Sequence, residues 1–360
     1  MERKKLALLL GSICMVLIPG ITLLPVACAK PVPTPAPAPT PAPAPAPAPT
    51  PAKAIVIKAV SFTPALPTGP LGVPKSANFD LFISTVNERA KGELVVEFKG
   101  AGEAIPVTEQ VKAVKAGVVQ MAFAGVGLYD ELVPASRLLI LSELSVEEER
   151  QRGAYDLIVE MHKKAGLFYL GLLDSPDPVW YTLLRKERVS TPYDLSKVLI
   201  GGETMYIKSV ADAVGANFTM VAYPERYTAL ERGVVDALPT PLDSAAYRRF
   251  YEVVRYVIDY PFFRSPTLVL LNLDTWNQLP KHLQKLLQDS LQDIMPEVLR
   301  TRSEFMANSK KAFKDARVEF IRFSPADAEW YVKEIYRIER EKQLKQFPDV
   351  APKLLELLKK

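Results

Sequence analysis

Proline occupies every odd position from residue 31 to residue 51. No packed helix or sheet accommodates that spacing, because each proline fixes φ and lacks an N–H to donate. The run is predicted to be polyproline II, a semi-rigid spacer that at about 3.1 Å per residue reaches on the order of 65 Å. The repeat holds no charged residue that would orient a proline-reading partner. Folding is therefore left to residues from about 54 onward, a length sufficient for two domains with their own cores.

Ahead of the spacer, Arg3, Lys4 and Lys5 precede an apolar stretch over residues 6–24, followed by Val26-Ala27-Cys28. A charged start, an apolar run and a small-residue cleavage site describe a secretory signal over residues 1–27. The cysteine directly behind it resembles the bacterial lipobox, with Pro25 standing where that motif prefers leucine. The resemblance implies that Cys28 is lipidated and becomes the new N-terminus, so that residues 28–53 form a tether. The alternative is an uncleaved transmembrane anchor, since roughly 20 apolar residues can span a bilayer; Pro19, Gly20 and Pro25 interrupt that stretch. Either way the folded part lies outside the cytoplasmic membrane.

Removal of residues 1–27 lowers the net charge from +4 to about +2. That is too little to suggest a nucleic-acid partner or a broad basic membrane face. Both cysteines, Cys14 and Cys28, belong to the leader, so the folded part has no disulfide, thiolate metal site or cysteine nucleophile. The two histidines, His162 and His282, are predicted to decorate helix surfaces. The chain has no glycine-rich phosphate loop, no Gly-x-Ser-x-Gly elbow and no His-Glu metal motif. Neither a cofactor, a metal nor a catalytic activity is expected. The Glu147-Glu-Glu-Arg150 cluster reads as helix N-terminal charge, and Leu354, Leu355, Leu357 and Leu358 as an amphipathic cap docked on a lobe.

Periodicity predicts strands at 54–60, 93–99, 118–123, 167–173, 198–200, 218–221, 234–238, 267–272 and 318–323. Helices are predicted at 76–90, 107–116, 146–165, 207–214, 224–232, after the 234–238 strand as far as Tyr251, and at 280–314 and 329–346. Strand-helix alternation at this spacing argues for βαβ units and a mostly parallel sheet. The order fits an α/β fold of two lobes joined by crossing strands and a long helix. Lobe I would comprise residues 54–177 and about 266–305; lobe II would comprise 178–265 and about 306–360. Ligands of such lobes sit at strand C-terminal ends and between domains.

The block from Gly215-Ala216 through Glu225-Arg-Tyr-Thr-Ala-Leu-Glu-Arg-Gly-Val-Val-Asp236 and Tyr251-Glu-Val-Val-Arg-Tyr256 to Asn272-Leu-Asp-Thr-Trp-Asn-Gln-Leu-Pro280 carries a resemblance. So do Lys91-Gly92-Glu93-Leu94, Ala116-Gly-Val-Val-Gln-Met121 and Pro192-Tyr-Asp-Leu195. In this order the pieces resemble the solute-binding subunit of tripartite ATP-independent periplasmic (TRAP) transporters, the DctP-type family. The resemblance covers roughly residues 54–340. It implies a periplasmic-binding-protein-like fold that closes on a small organic solute. It also implies delivery to integral-membrane TRAP subunits driven by an ion gradient. An extracytoplasmic sensing lobe for a membrane receptor would use the same fold, and a surface hydrolase would need a nucleophile-base pair that the chain does not display.

One departure from the family bears on the ligand. The family's carboxylate-binding arginine falls on Gly201, a second arginine falls near Trp180, and the asparagine after the Asp-Gly pair falls near Thr240. No arginine lies between Arg188 and Arg226. Arg185, Lys197, Lys208 or Arg226 could substitute, or the solute could be neutral, aromatic or cationic. The aromatic residues Phe62, Tyr129, Trp180, Tyr181, Tyr206, Tyr223 and Phe263 would then line the site, with Glu203 and Asp243 facing a cation. Of these, Trp180 and Tyr181 stand closest to the expected crossing between lobes.

Overall fold

Two sheets divide the chain. In this computed structural model the described residues are 54–64, 69–72, 74 and 76–359; the apolar leader, Cys28 and the proline spacer lie outside them. Lobe I opens with β1 (Ile55–Ser61), α1 (Ser76–Arg89), β2 (Leu94–Phe98), α2 (Gln110–Lys115) and β3 (Met121–Gly125). A 3-10 stretch, Pro134–Leu141, leads to α3 (Val146–Gln151), α4 (Ala154–Lys164) and β4 (Leu167–Leu172). The chain then crosses into lobe II through β5 (Trp180–Leu184), β6 (Leu199–Gly202), α5 (Lys208–Val214) and β7 (Asn217–Met220). Lobe II continues with α6 (Arg226–Arg232), β8 (Ala237–Pro241), α7 (Leu242–Tyr247) and β9 (Tyr256–Ile258). A second crossing returns it to lobe I for β10 (Thr267–Asn272) and α8 (Leu273–Gln278). Then follow the 35-residue α9 (Lys281–Asp315), β11 (Glu319–Ile321), α10 (Pro325–Gln346) and α11 (Ala351–Leu357).

The sheets run β2-β1-β3-β10-β4 in lobe I and β11-β9-β5-β8-β6-β7 in lobe II. Neither is purely parallel. β10 lies antiparallel between β3 and β4, and β5 lies antiparallel between β8 and β9. These are the first strands after each crossing. The parallel strands run toward the cleft between the lobes, so a chain arriving from the cleft must run away from it. This topology places Trp180, the first residue of β5, at the same sheet edge as the C-terminal ends of β6 and β8. Helix α9, about 52 Å long at 1.5 Å per residue, packs on α1 in lobe I and on α7 in lobe II.

Local sequence explains most of the packing. Phe79, Phe82, Ile83 and Val86 form one stripe of α1, and all four are buried in the lobe I core. The single helix predicted over 146–165 is two helices, because Gly153 adopts φ +78° between α3 and α4. Glu147, Glu148 and Glu149 occupy the first turn of α3, as the charge cluster predicts, and Glu149 is buried there. At the C-terminus, α10 packs on α5 of lobe II, whereas Ala351, Leu354 and Leu358 enter the lobe I core. The chain thus ends on the lobe opposite to the one expected.

Two buried arginines hold the crossings. Arg264, between β9 and β10, donates from Nε to Leu139 O (2.7 Å), from Nη1 to Leu144 O (2.8 Å) and from Nη2 to Glu149 Oε1 (2.7 Å). Glu149 also accepts from Tyr169 Oη at 3.3 Å. Arg302 on α9 donates from Nε to Asp174 Oδ1 (3.1 Å), just past β4, and from Nη2 to Asp243 at the start of α7. One guanidinium therefore touches both lobes. Removing one member of such a pair strands a buried charge. Glu149→Ala is expected to cost about 3–5 kcal/mol in urea unfolding, and the double change Glu149→Leu with Arg264→Met distinctly less.

His162 also departs from its surface assignment. It lies fully buried on α4, where Nδ1 is 2.7 Å from Ile158 O and Nε2 is 3.0 Å from Tyr129 Oη. One neutral tautomer satisfies both, with Nδ1–H donating to the carbonyl and Nε2 accepting from the phenol. Burial pushes the imidazole down to about 4. As pH falls, the unfolded chain takes up this proton near 6.5 and the folded chain only near 4. Stability should fall across that window by about 1.4 kcal/mol per pH unit, roughly 3 kcal/mol in all. Melting temperatures of wild type and His162→Gln between pH 7 and 4 check this. The variant's curve should be flatter, and parallel curves would contradict the assignment.

Candidate functional site

The C-terminal edge of the lobe II sheet gathers the residues with unmet polar demand. β6 ends at Gly202, so Glu203 projects from the edge. β8 pairs parallel with β6 and carries Thr240 near its own end. α6 connects β7 to β8 and must run back across the sheet, so its first residue, Arg226, starts at the same edge. The Arg226 side chain is fully buried. Its Nη1 donates to Glu203 Oε1 at 3.0 Å and to Thr240 Oγ1 at 3.1 Å. The Tyr223 ring lies 4.4 Å from the guanidinium carbon, and Arg248 stacks on the same ring at 4.0 Å. The indole of Trp180 meets Tyr206 edge-on at 5.6 Å, and Tyr206 meets Phe263 at 6.4 Å. Burial, followed by the Glu203 carboxylate, pushes the Tyr206 hydroxyl well above its usual range, so it stays protonated.

Several polar atoms here are buried and make no hydrogen bond: Arg226 Nε and Nη2, Glu203 Oε2, Thr204 Oγ1 and Trp180 Nε1. An unpaired buried polar group costs about 1–3 kcal/mol, and more when charged. Buried polar groups in folded proteins find their partners in the protein, in ordered water or in a ligand, and five such atoms gather at this edge. Lobe I approaches closely: a Cβ on Gly127 would lie 3.3 Å from Thr204 Cγ2 and 3.5 Å from Tyr206 Cε1. A separate cleft of about 310 Å³ opens beside it, between residues 108–112 and 127–132. Its walls come from lobe I alone and contain none of these unmatched atoms, so we place the site at the lobe II edge.

The structure separates the predicted site residues into groups. Glu203, Tyr206, Tyr223, Thr240 and Trp180 come together at this edge. Phe62 lies across the cleft, at the end of β1, with its ring 5.6 Å from Phe123. Phe263 is fully buried in the second crossing with φ +43°, packed on Tyr206, Phe262 and Tyr336. Tyr181 parts from Trp180 because successive strand residues face opposite sides. It packs beneath Lys310 of α9, whose Nζ is 5.1 Å from the ring. Tyr129 is buried in lobe I against His162, beside the separate lobe I cleft and apart from the lobe II edge. Asp243 is engaged by Arg302 at the hinge. Gly201 has no room for a side chain: a Cβ would lie 2.8 Å from Val235 Cγ1 and 3.0 Å from Val221 Cγ2.

Of the four cations considered as substitutes, only Arg226 reaches the edge. Arg185 packs over Gly233 and donates to Glu231 O, Lys208 pairs with Asp212, and Lys197 is exposed. Among the described residues, no group of three or more His, Cys, Asp or Glu side chains could hold a metal ion, and no helix is long and apolar enough to cross a membrane.

The profile of the DctP family, bacterial extracellular solute-binding protein family 7, matches residues 69–345. A curated relative, the 2,3-diketo-L-gulonate-binding periplasmic protein YiaO of Escherichia coli K12, is 26% identical over 244 residues, covering 67% of this chain and 74% of the relative. The TRAP periplasmic solute-binding protein of Desulfovibrio salexigens with bound orotic acid superposes with a TM-score of 0.72 at 20% identity, over 84% of this chain and 97% of that one. A TRAP solute-binding protein of Sulfitobacter with bound β-D-galacturonate gives 0.69 at 18% identity, over 84% and 99%. The fold is that of these two-lobed proteins. With the profile matching well over half its length, the chain belongs to the bacterial extracellular solute-binding protein family 7.

Proposed function

We propose that the protein captures a small organic solute between its lobes and delivers it to the integral-membrane subunits of a TRAP-type transporter. The observation that carries this reading is the set of buried, unpartnered polar atoms at the lobe II edge, placed where lobe I closes over them. Family membership supports it, as do the solutes named for the similar proteins: 2,3-diketo-L-gulonate, orotic acid and β-D-galacturonate. The solute contacts would come from Arg226, Glu203, Thr240, Trp180 and Tyr206. Arg226 takes over the anion-binding task that Gly201 cannot perform. Opening about the two crossings and α9 would admit the solute, and closure would bury it. The aromatic side chains suit an apolar portion of the solute. With a guanidinium in the floor, a solute that is only a cation is disfavoured. The work is binding and release, without catalysis. On this reading the protein is held at the extracytoplasmic face of the membrane through a lipid on Cys28.

A mass spectrum of solute released from natively purified protein should identify the cargo, and calorimetry with that cargo gives its affinity. Arg226→Gln is expected to weaken binding about 10- to 100-fold, the worth of one or two hydrogen bonds to a charged group. Unchanged affinity would remove Arg226 from the site. For the tether, Cys28→Ala should move the protein from the membrane fraction to the soluble one. Retention with the leader intact would identify the apolar run as a helical anchor instead.

A further inference from the structure

The Arg226–Glu203 pair is oriented in a way that selects among solutes. A planar guanidinium presents Nε–H and one Nη–H₂ along a single edge, the edge that forks onto both oxygens of a carboxylate. In Arg226 the atoms Nε and Nη2 are unpartnered, while Nη1 is occupied by Glu203 Oε1 and Thr240 Oγ1. The fork is therefore free and the opposite side is taken. Thr240 and the Glu203 contact fix the guanidinium's rotation, and the Tyr223 ring covers one of its faces. Glu203 uses one oxygen on Arg226 and leaves Oε2 buried without a donor. The site thus offers a two-donor fork and a carboxylate acceptor side by side, with charges that sum to zero.

A plain carboxylate would satisfy the fork but leave Glu203 Oε2 unmatched and facing a second negative group. A plain ammonium would satisfy Glu203 and leave the fork empty. We infer that the site is built for a zwitterion: a solute whose carboxylate sits on Nε and Nη2 of Arg226 and whose neighbouring ammonium donates to Oε2 of Glu203, as in an amino acid. Trp180 Nε1 and Thr204 Oγ1 supply further polar contacts, and the Trp180 and Tyr206 rings receive the side chain. This inference rests on the solute-binding reading and narrows the solute's class.

The test uses matched probes on the purified protein: L-alanine, propanoate and ethylamine; L-leucine, 4-methylpentanoate and 3-methylbutylamine; L-phenylalanine, 3-phenylpropanoate and 2-phenylethylamine. Calorimetry should show, in at least one set, the amino acid binding at least 10-fold tighter than both partners. Glu203→Gln should shrink the preference over the carboxylate to within about threefold, while Arg226→Gln should weaken amino acid and carboxylate together. The unliganded melting temperature of each variant reports whether it folds. A carboxylate that binds as tightly as its amino acid in every set overturns the zwitterion assignment, and so does failure of all nine probes to bind. In either case the mass spectrum of released solute judges the solute-binding reading independently. A released solute with no ammonium group would sustain that reading while ending this one.

Discussion

The arrangement of the molecule depends on guanidinium groups buried where the chain passes between sheets. Arg264 ties the second crossing to the backbone of the 139–144 segment and to Glu149. Arg302 joins Asp174 of lobe I to Asp243 of lobe II from the middle of α9. Buried ion pairs of this sort add little net stability against an apolar replacement, but they are expensive to break singly. What they contribute here is position. A crossing segment that shifted by one residue would leave a charge without its partner, so the segments are held in register. The edge residues they deliver, Trp180 and Thr267 among them, inherit that placement.

The same logic operates at the site with the opposite outcome. At the hinge the donors and acceptors of Arg264 are matched within the protein. At the edge of lobe II, Arg226 is matched on one side only. On the proposed reading a solute restores the balance, and the cost of leaving the site empty becomes part of the drive to bind. The close approach of Gly127 to Tyr206 would strengthen every such bond by excluding water.

How far the sequence disclosed this varies with how local the cause is. β1, β4, β10, α1 and α9 were legible because periodicity and flanking glycine or proline mark them. β5 was missed because both faces of Trp180–Leu184 are buried, so no alternation shows. β9 was missed because three residues carry no pattern. Tyr181 and Asp243 stand near Trp180 and Thr240 in sequence, whereas strand alternation and the α9 helix set their side chains apart from that edge. In sequence Arg226 is one of four candidate cations, 23 residues from Glu203 and 14 from Thr240. Only the pairing of β6 with β8 brings the three together. A signal was nonetheless present, since the first residue of a helix between parallel strands lies at their C-terminal edge.

The described fold begins with β1, an inner strand of the lobe I sheet, and α11 seats its last turn in the same lobe's core. Both ends of the folded part are thus fastened to one half of the molecule. Arg226 lies on the other half, so a movement of lobe II about the crossings would leave both ends of the described fold where they are.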